Sequence, residues 1–249
     1  IIGGLPFVFI LFGIVWGKFL YRVKHVHLSS ERFPENLNEF RLVQISDFHI
    51  GSFRNHKEKV DRTMQIINDQ EPDLICFTGD LINMFADEAE MFVSSFLTLK
   101  ATYGKYAILG NHDYGEYYPW DSEEEWLENM ESLKNVFRKS GFRLLLNEHE
   151  YIERDGQKFT LAGVENWGKP PFPQYGDLAG TLKNIDNNEF IILMSHDPSH
   201  WDAQVKNHPN VFLTLSGHTH AMQFGIGFGQ WQWSPVKWKY KNWAGLYSE

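Results

Sequence analysis

Leu74-Ile75-Cys76-Phe77-Thr78-Gly79-Asp80 is a short apolar run closed by a glycine and an aspartate. Apolar residues packed this tightly between turn signals read as a buried strand over Asp73–Thr78, delivering Asp80 at its end. The same design lies on either side. Upstream, Phe40–Ser46 is an apolar run ending at Asp47, and Lys57–Asp69 then sets Val60, Met64 and Ile67 at helical spacing. Downstream, Ala89, Phe92, Phe96 and Leu99 mark a second amphipathic helix, and Tyr106–Leu109 is a third strand ending at Gly110-Asn111. Ser122 with Glu125 forms a capping box for a third helix, which carries Trp126, Met130, Leu133 and Phe137 on one face and stops at Gly141. Strand and helix in alternation give an α/β class. Beyond Gly141 the strands dominate, over Arg143–Leu146, Tyr151–Arg154, Lys158–Val164, Phe190–Ser195 and Val211–Ser216, with Asp155-Gly156 as a hairpin signal.

Composition narrows the function. The 249 residues are 43% apolar and 22% charged, enough for one sizeable core, so disorder and collagen-like structure are excluded. Twenty-three Lys and Arg against 32 Asp and Glu leave a formal charge of −9, which makes nucleic acid a poor partner. A single cysteine, Cys76, excludes a disulfide scaffold and reads as a buried, inert thiol.

Ile1–Gly17 contains no charge and reads as part of a membrane segment over residues 1–22, cut partway because a full span needs about 20 apolar residues. The alternative is an apolar arm packed on the domain. Lys18, Arg22 and Lys24 follow the apolar run, which fits a signal peptide poorly and favours a cytoplasmic domain by the positive-inside rule. Residues 23–39 read as a polar linker, and 40–249 as the catalytic domain, whose C-terminal end also reads as truncated. The expected protein is therefore membrane-anchored, with Trp231, Trp233, Trp238 and Trp243 offering an acyl-chain groove or an interfacial surface if they are not core residues.

The chemistry collects at the ends of the strands, where the loops of an α/β sheet gather side chains into a crevice. In chain order these are Asp47 and His49 in Ser-Asp-Phe-His, Asp80 in Thr-Gly-Asp, and Asn111, His112 and Asp113 in Gly-Asn-His-Asp. His196 in Ser-His-Asp-Pro and His218 with His220 in Gly-His-Thr-His complete the set. Carboxylate, amide oxygen and imidazole without thiolate suit Mn, Fe, Zn or Mg-like ions rather than a structural zinc site. In extended backbone, residues i and i+2 point the same way, so Asp47 with His49 and His218 with His220 can each present two ligands. Singly, Asp-x-His and Gly-Asp are ordinary turn chemistry; five such blocks, each after an apolar run, are not.

Together the blocks resemble the calcineurin-like metallophosphoesterase family, whose pattern is Asp-x-His, Gly-Asp, Gly-Asn-His-Asp/Glu, a lone His and Gly-His-x-His. The match runs from Asp47 to His220. The resemblance implies a four-layer α/β/β/α sandwich with two mixed sheets. It also implies two divalent ions, manganese favoured: one on Asp47, His49 and His220, the other on Asn111, His196 and His218, with Asp80 bridging. His112 would protonate the leaving oxygen and Asp113 would orient its imidazole. Such a pair of ions lowers the pKa of a shared water toward about 7 and stabilises phosphoryl charge. Many membrane-linked relatives read Gly-His-Thr-His-Gly-Gly-Gln, whereas Ala221-Met222-Gln223 follows here. Gly163-Val164-Glu165-Asn166-Trp167 is similar to their Gly-Val-Asp-Asp-Trp. The implied substrate is a phosphodiester or pyrophosphate, lipid-linked in the manner of UDP-diacylglucosamine; a soluble-substrate phosphodiesterase and a non-catalytic binding module are the alternatives.

Overall fold

The computed structural model describes residues 11–13, 17–220, 226–228 and 231–248. Strands β1 (Leu42–Ile45), β2 (Leu74–Phe77), β3 (Lys105–Ala107) and β4 (Arg143–Leu144) form one sheet in chain order. Its pairings are all parallel, so it is not the mixed sheet expected. Helical crossovers force this result, since each strand must re-enter from the same end. The crossovers carry α1 (Lys57–Asn68), the short α2 (Asp87–Glu90) and α3 (Val93–Phe96), and the long α4 (Glu123–Lys139). Strands β5 (Glu148–Arg154), β6 (Gln157–Gly163), β7 (Ile191–Met194) and β8 (Val211–Leu215) form the second sheet. This one is mixed: β5 and β6 are antiparallel, while β6–β7 and β7–β8 are parallel. Its outer helices are α5 (Leu178–Thr181) and α6 (Ser199–Ala203), and β9 (Ile226–Phe228) and β10 (Trp231–Trp233) form a separate hairpin.

Side-chain alternation along the buried strands sorts the core into three apolar layers. On β2, Ile75 and Phe77 face the cluster shared with Val60, Met64, Phe92, Phe96, Leu133 and Phe137 of the helices. Leu74 and Cys76 face the other way, into a cluster with Ile108, Phe159, Leu161, Ile192 and Met194. On β7 the neighbours Ile191 and Leu193 turn outward to Leu178 and Val205. The order is therefore helix, sheet, sheet, helix. Full burial of Phe77 and Phe137 contributes roughly 2–3 kcal/mol each, and Cys76 is fully buried, which pushes its thiol pKa up and leaves it inert.

The second helix is broken where continuity was expected. Ala89, Phe92, Phe96 and Leu99 are all buried, as the periodicity requires, but Phe92 lies between two separate short helices, at φ −99°, ψ −1°. The N–H of Phe92 bonds Ala89 O and that of Ser95 bonds Phe92 O, tight i→i+3 turns that join two short pieces. Asp155 and Gly156 both take positive φ, closing the β5–β6 hairpin as their sequence predicts.

Among the described residues no helix is long and apolar enough to cross a membrane. Residues 1–10 and 14–16, most of the segment expected to meet the bilayer, lie outside the described residues. Gly17–Phe19 is a single 3₁₀ turn, whose Phe19 ring packs on Phe53 and His56.

Candidate metal centre

The C-terminal ends of the two sheets are sewn together. Gln44 Nε2 donates to Ser216 O and His218 N–H to the Asp47 carboxylate across the sheets, while Asp47 N–H bonds Gly79 O at the end of the first sheet and Gly217 N–H bonds His196 O at the end of the second. The loops that follow β1, β2, β3, β7 and β8 therefore open into one crevice, and they carry Asp47 and His49, Asp80, Asn111, His196, and His218 and His220 respectively. Two groups form, Asp47–His49–Asp80–His220 and Asp80–His196–His218, each with its ligand atoms within 4.8 Å of one another. Asp80 belongs to both.

The route to this convergence differs from the extended one expected. Asp47, His49, Asp80, His218 and His220 all adopt left-handed backbone, with φ between 46° and 69°. Such geometry costs a non-glycine residue about 1–2 kcal/mol, and its repetition across one crevice is strain of the kind that functional sites hold. Sharp turns, rather than a pleat, aim both residues of each pair inward. Gly79 and Gly110 make the approach possible: a Cβ on Gly79 would lie 2.5 Å from Gly110 N, and one on Gly110 would collide with Asp80 and His196.

The imidazoles are oriented from behind. His196 Nδ1 meets Thr78 O at 2.7 Å, which leaves Nε2 facing Asp80 Oδ2 at 3.2 Å and Asn111 Oδ1 at 3.1 Å. His218 Nε2 meets Tyr240 Oη at 2.7 Å, and its Nδ1 turns to Asn111 Oδ1 at 2.7 Å. A carbonyl or hydroxyl behind the ring fixes the tautomer and presents the other nitrogen inward. His49 Nε2 lies 3.1 Å from His220 Nε2 and 3.7 Å from Asp80 Oδ2, and His220 Nε2 is 3.5 Å from Asp47 Oδ1. Among the described residues the ion pairs of Asp47 and Asp80 are with imidazoles alone.

Electrostatics follow from crowding. Burial and neighbouring imidazoles hold His49 and His218 below the usual imidazole range. Burial would also lower His196, but the Asp80 carboxylate carries it up to about 10. Asp80 itself, despite burial, is held well below the usual carboxylate range by His196, His112 and His49. The donors fit divalent cations: four imidazoles, two carboxylates and an amide oxygen converge, and among the described residues the ion pairs of these carboxylates include no lysine or arginine.

His112 stands beside this cluster, its ring 4.8 Å from that of His49. Its Nδ1 meets the Asn83 carbonyl at 3.0 Å, not a carboxylate. Asp113, expected to orient His112, is fully buried and spent elsewhere: Oδ2 accepts from Asp80 and Gly110 N–H, Oδ1 from Leu81 and Ile82 N–H. The chain turns tightly at Asn111–His112, so adjacent side chains diverge. Burial and the Asp80 charge raise the Asp113 carboxyl to about 7, against the pull of its backbone donors.

Residues 40–222 match the calcineurin-like phosphoesterases. The chain belongs to that family. Among its relatives, a transmembrane protein with metallophosphoesterase domain from Danio rerio is 30% identical over 219 residues, 86% of this chain and 47% of the relative. The Bacillus subtilis metallophosphoesterase YkuE is 31% identical over 208 residues, 81% of this chain and 65% of the relative. A metallophosphoesterase of Aquifex aeolicus is 28% identical over 213 residues, 84% and 74% respectively. This chain thus spans about half to two thirds of the first two.

Within this phosphoesterase centre, several contacts escape sequence reading. Tyr117 Oη accepts from Asn111 Nδ2 at 2.8 Å while its ring packs on His112 at 4.9 Å. Tyr240 touches His218, and the Trp243 carbonyl accepts from Thr219 Oγ1 at 2.7 Å. These come from loops with no periodic pattern. Ala221-Met222-Gln223 lies outside the described residues, as does the Trp231 side chain. Trp233 and Trp243 are partly buried, and Trp238 is 74% exposed.

Proposed function

We propose that this phosphoesterase hydrolyses a phosphodiester or pyrophosphate at a membrane, using two divalent ions with manganese favoured. The observation that carries the reading is Asp80, a carboxylate common to two ligand groups and itself within reach of His49 and His196. Asp47, His49 and His220 would hold one ion, Asn111, His196 and His218 the other, and Asp80 both. Two such ions supply Lewis acidity, ionising water near neutral pH and neutralising charge on the phosphoryl oxygens. The chain's own residues do the rest. Asn83 O holds the proton on His112 Nδ1, so a proton on Nε2 can pass to the leaving oxygen. Tyr117 keeps the Asn111 amide turned so that its oxygen faces His196 and His218. Asp113 locks the Asp80 loop through three backbone bonds and ties it to Gly110 through a fourth, fixing the carboxylate position.

The uncharged run at Ile1–Gly17 and the transmembrane naming of the Danio rerio relative support a bilayer location, with the domain on the cytoplasmic side. An enzyme held there gains most from a lipid-linked substrate, of the UDP-diacylglucosamine kind. The test is hydrolysis of bis-p-nitrophenyl phosphate against p-nitrophenyl phosphate with added Mn, before and after chelation, with Asp80→Ala as control and metal content by elemental analysis. Chelator-sensitive diester cleavage, lost with both ions in Asp80→Ala, is expected. Activity on the monoester alone would replace the reading with a phosphatase; neither metal nor activity would leave a binding module.

A further inference from the structure

Two stretches of this acidic chain run against its charge. Residues 17–30 and 231–248 contain six of the 23 Lys and Arg (Lys18, Arg22, Lys24, Lys237, Lys239, Lys241) and none of the 32 Asp and Glu. The same stretches expose apolar surface: Leu20, Tyr21, Val23, Val26, Leu28, Trp238, Leu246 and Tyr247 are eight of the 17 large apolar side chains left open to solvent among the described residues. They meet each other, for a Cβ on Gly245 would lie 3.6 Å from Lys24 Nζ. The second stretch also meets the metal centre, through Tyr240 on His218 and the Trp243 carbonyl on Thr219.

We infer that these two stretches form one docking face for a bilayer carrying anionic lipid. The composition selects that occupant. Aromatic and aliphatic side chains interleaved with lysine suit the water–hydrocarbon boundary, where the rings sit at headgroup level and the cations meet lipid phosphate. A protein partner would favour a face depleted of lysine. Lys237 lies 5.9 Å from the Trp233 ring and Trp233 packs edge-on to Trp238 at 5.7 Å, so cation and aromatic are presented together. The uncharged run Ile1–Gly17 is continuous in sequence with the first of these stretches. The face deepens the membrane reading of the proposed function, because it sets the metal centre beside the headgroup layer.

The full chain is reconstituted with phosphatidylcholine vesicles or with phosphatidylcholine–phosphatidylglycerol vesicles, and hydrogen exchange is followed across 20–28 and 234–248. Both stretches should be protected on the anionic vesicles over the neutral ones. That difference should shrink about fivefold for each cation removed in Lys24→Gln and Lys237→Gln, and should also fall in Trp238→Ala. Equal exchange on both vesicles, or protection that grows with protein concentration without lipid, would overturn the inference, the latter by making the face a contact between copies. Hydrolysis of bis-p-nitrophenyl phosphate is measured in parallel: retained activity with lost protection separates the docking face from the catalytic reading.

Discussion

His112 and Asp113 are chain neighbours with unrelated work, and substitution separates them. His112→Asn should lower turnover of esters with poor leaving groups by about 10²–10⁴-fold while sparing nitrophenyl esters, because only the former need the proton. Equal losses on both would remove the acid role. Asp113→Asn should instead fail without regard to the leaving group. Its amide nitrogen would replace one oxygen and face two backbone N–H donors, and losing two bonds to a charged acceptor costs about 3 kcal/mol or more. Urea denaturation should show that loss, and normal stability with lost activity would argue for a direct role. The seven candidate ligands were legible because each follows an apolar run, a property of local sequence. The Asp113 bonds were not, since they depend on how the Asp80 loop of another strand comes to rest.

Elements were read well where a period repeats and poorly where it does not. The 17 residues of α4 and their Ser122 cap match the sequence reading, with Ser122 Oγ accepting from Glu125 N–H at 3.2 Å. The break at Phe92 was invisible, because its apolar spacing is kept by two short turns as faithfully as by one helix. The five-residue α6 is too short to show a period at all. The β5–β6 turn gives a clean element-scale prediction: Gly156 has φ +74° and a Cβ there would meet nothing within 4 Å, so Gly156→Ala carries backbone cost alone. A loss of about 1 kcal/mol in urea denaturation with unchanged hydrolysis is expected, and no loss would mean that the turn relaxes. The C-terminal segment makes the opposite case, since its Tyr240 hydroxyl acts through His218. Tyr240→Phe should weaken Mn binding about tenfold, the usual worth of an outer-shell bond, in a calorimetric titration; unchanged affinity for both ions would reduce the segment to packing.

The layered architecture places one titrating group where it governs the stability of the whole molecule. His200 is fully buried in α6. Its Nδ1 meets Ser195 Oγ at 2.8 Å, its Nε2 meets Gln204 Oε1 at 3.3 Å, and its ring stacks on Trp167 at 4.9 Å. That setting accepts the neutral ring, with one nitrogen accepting and the other donating, and burial lowers the pKa to about 4. In the unfolded chain an imidazole titrates near 6.5. The unfolded state therefore binds the extra proton first as pH falls, so stability is full above about 6.5 and is lost on the way down to about 4. By pH 5 this one group should cost on the order of 2 kcal/mol. Urea denaturation at pH 7.5 and pH 5 should show a smaller acid loss in His200→Gln than in the natural chain, by about that amount. Other histidines contribute equally to both proteins, so the difference between them isolates His200; equal acid losses would mean that the ring takes up its proton without leaving the folded state.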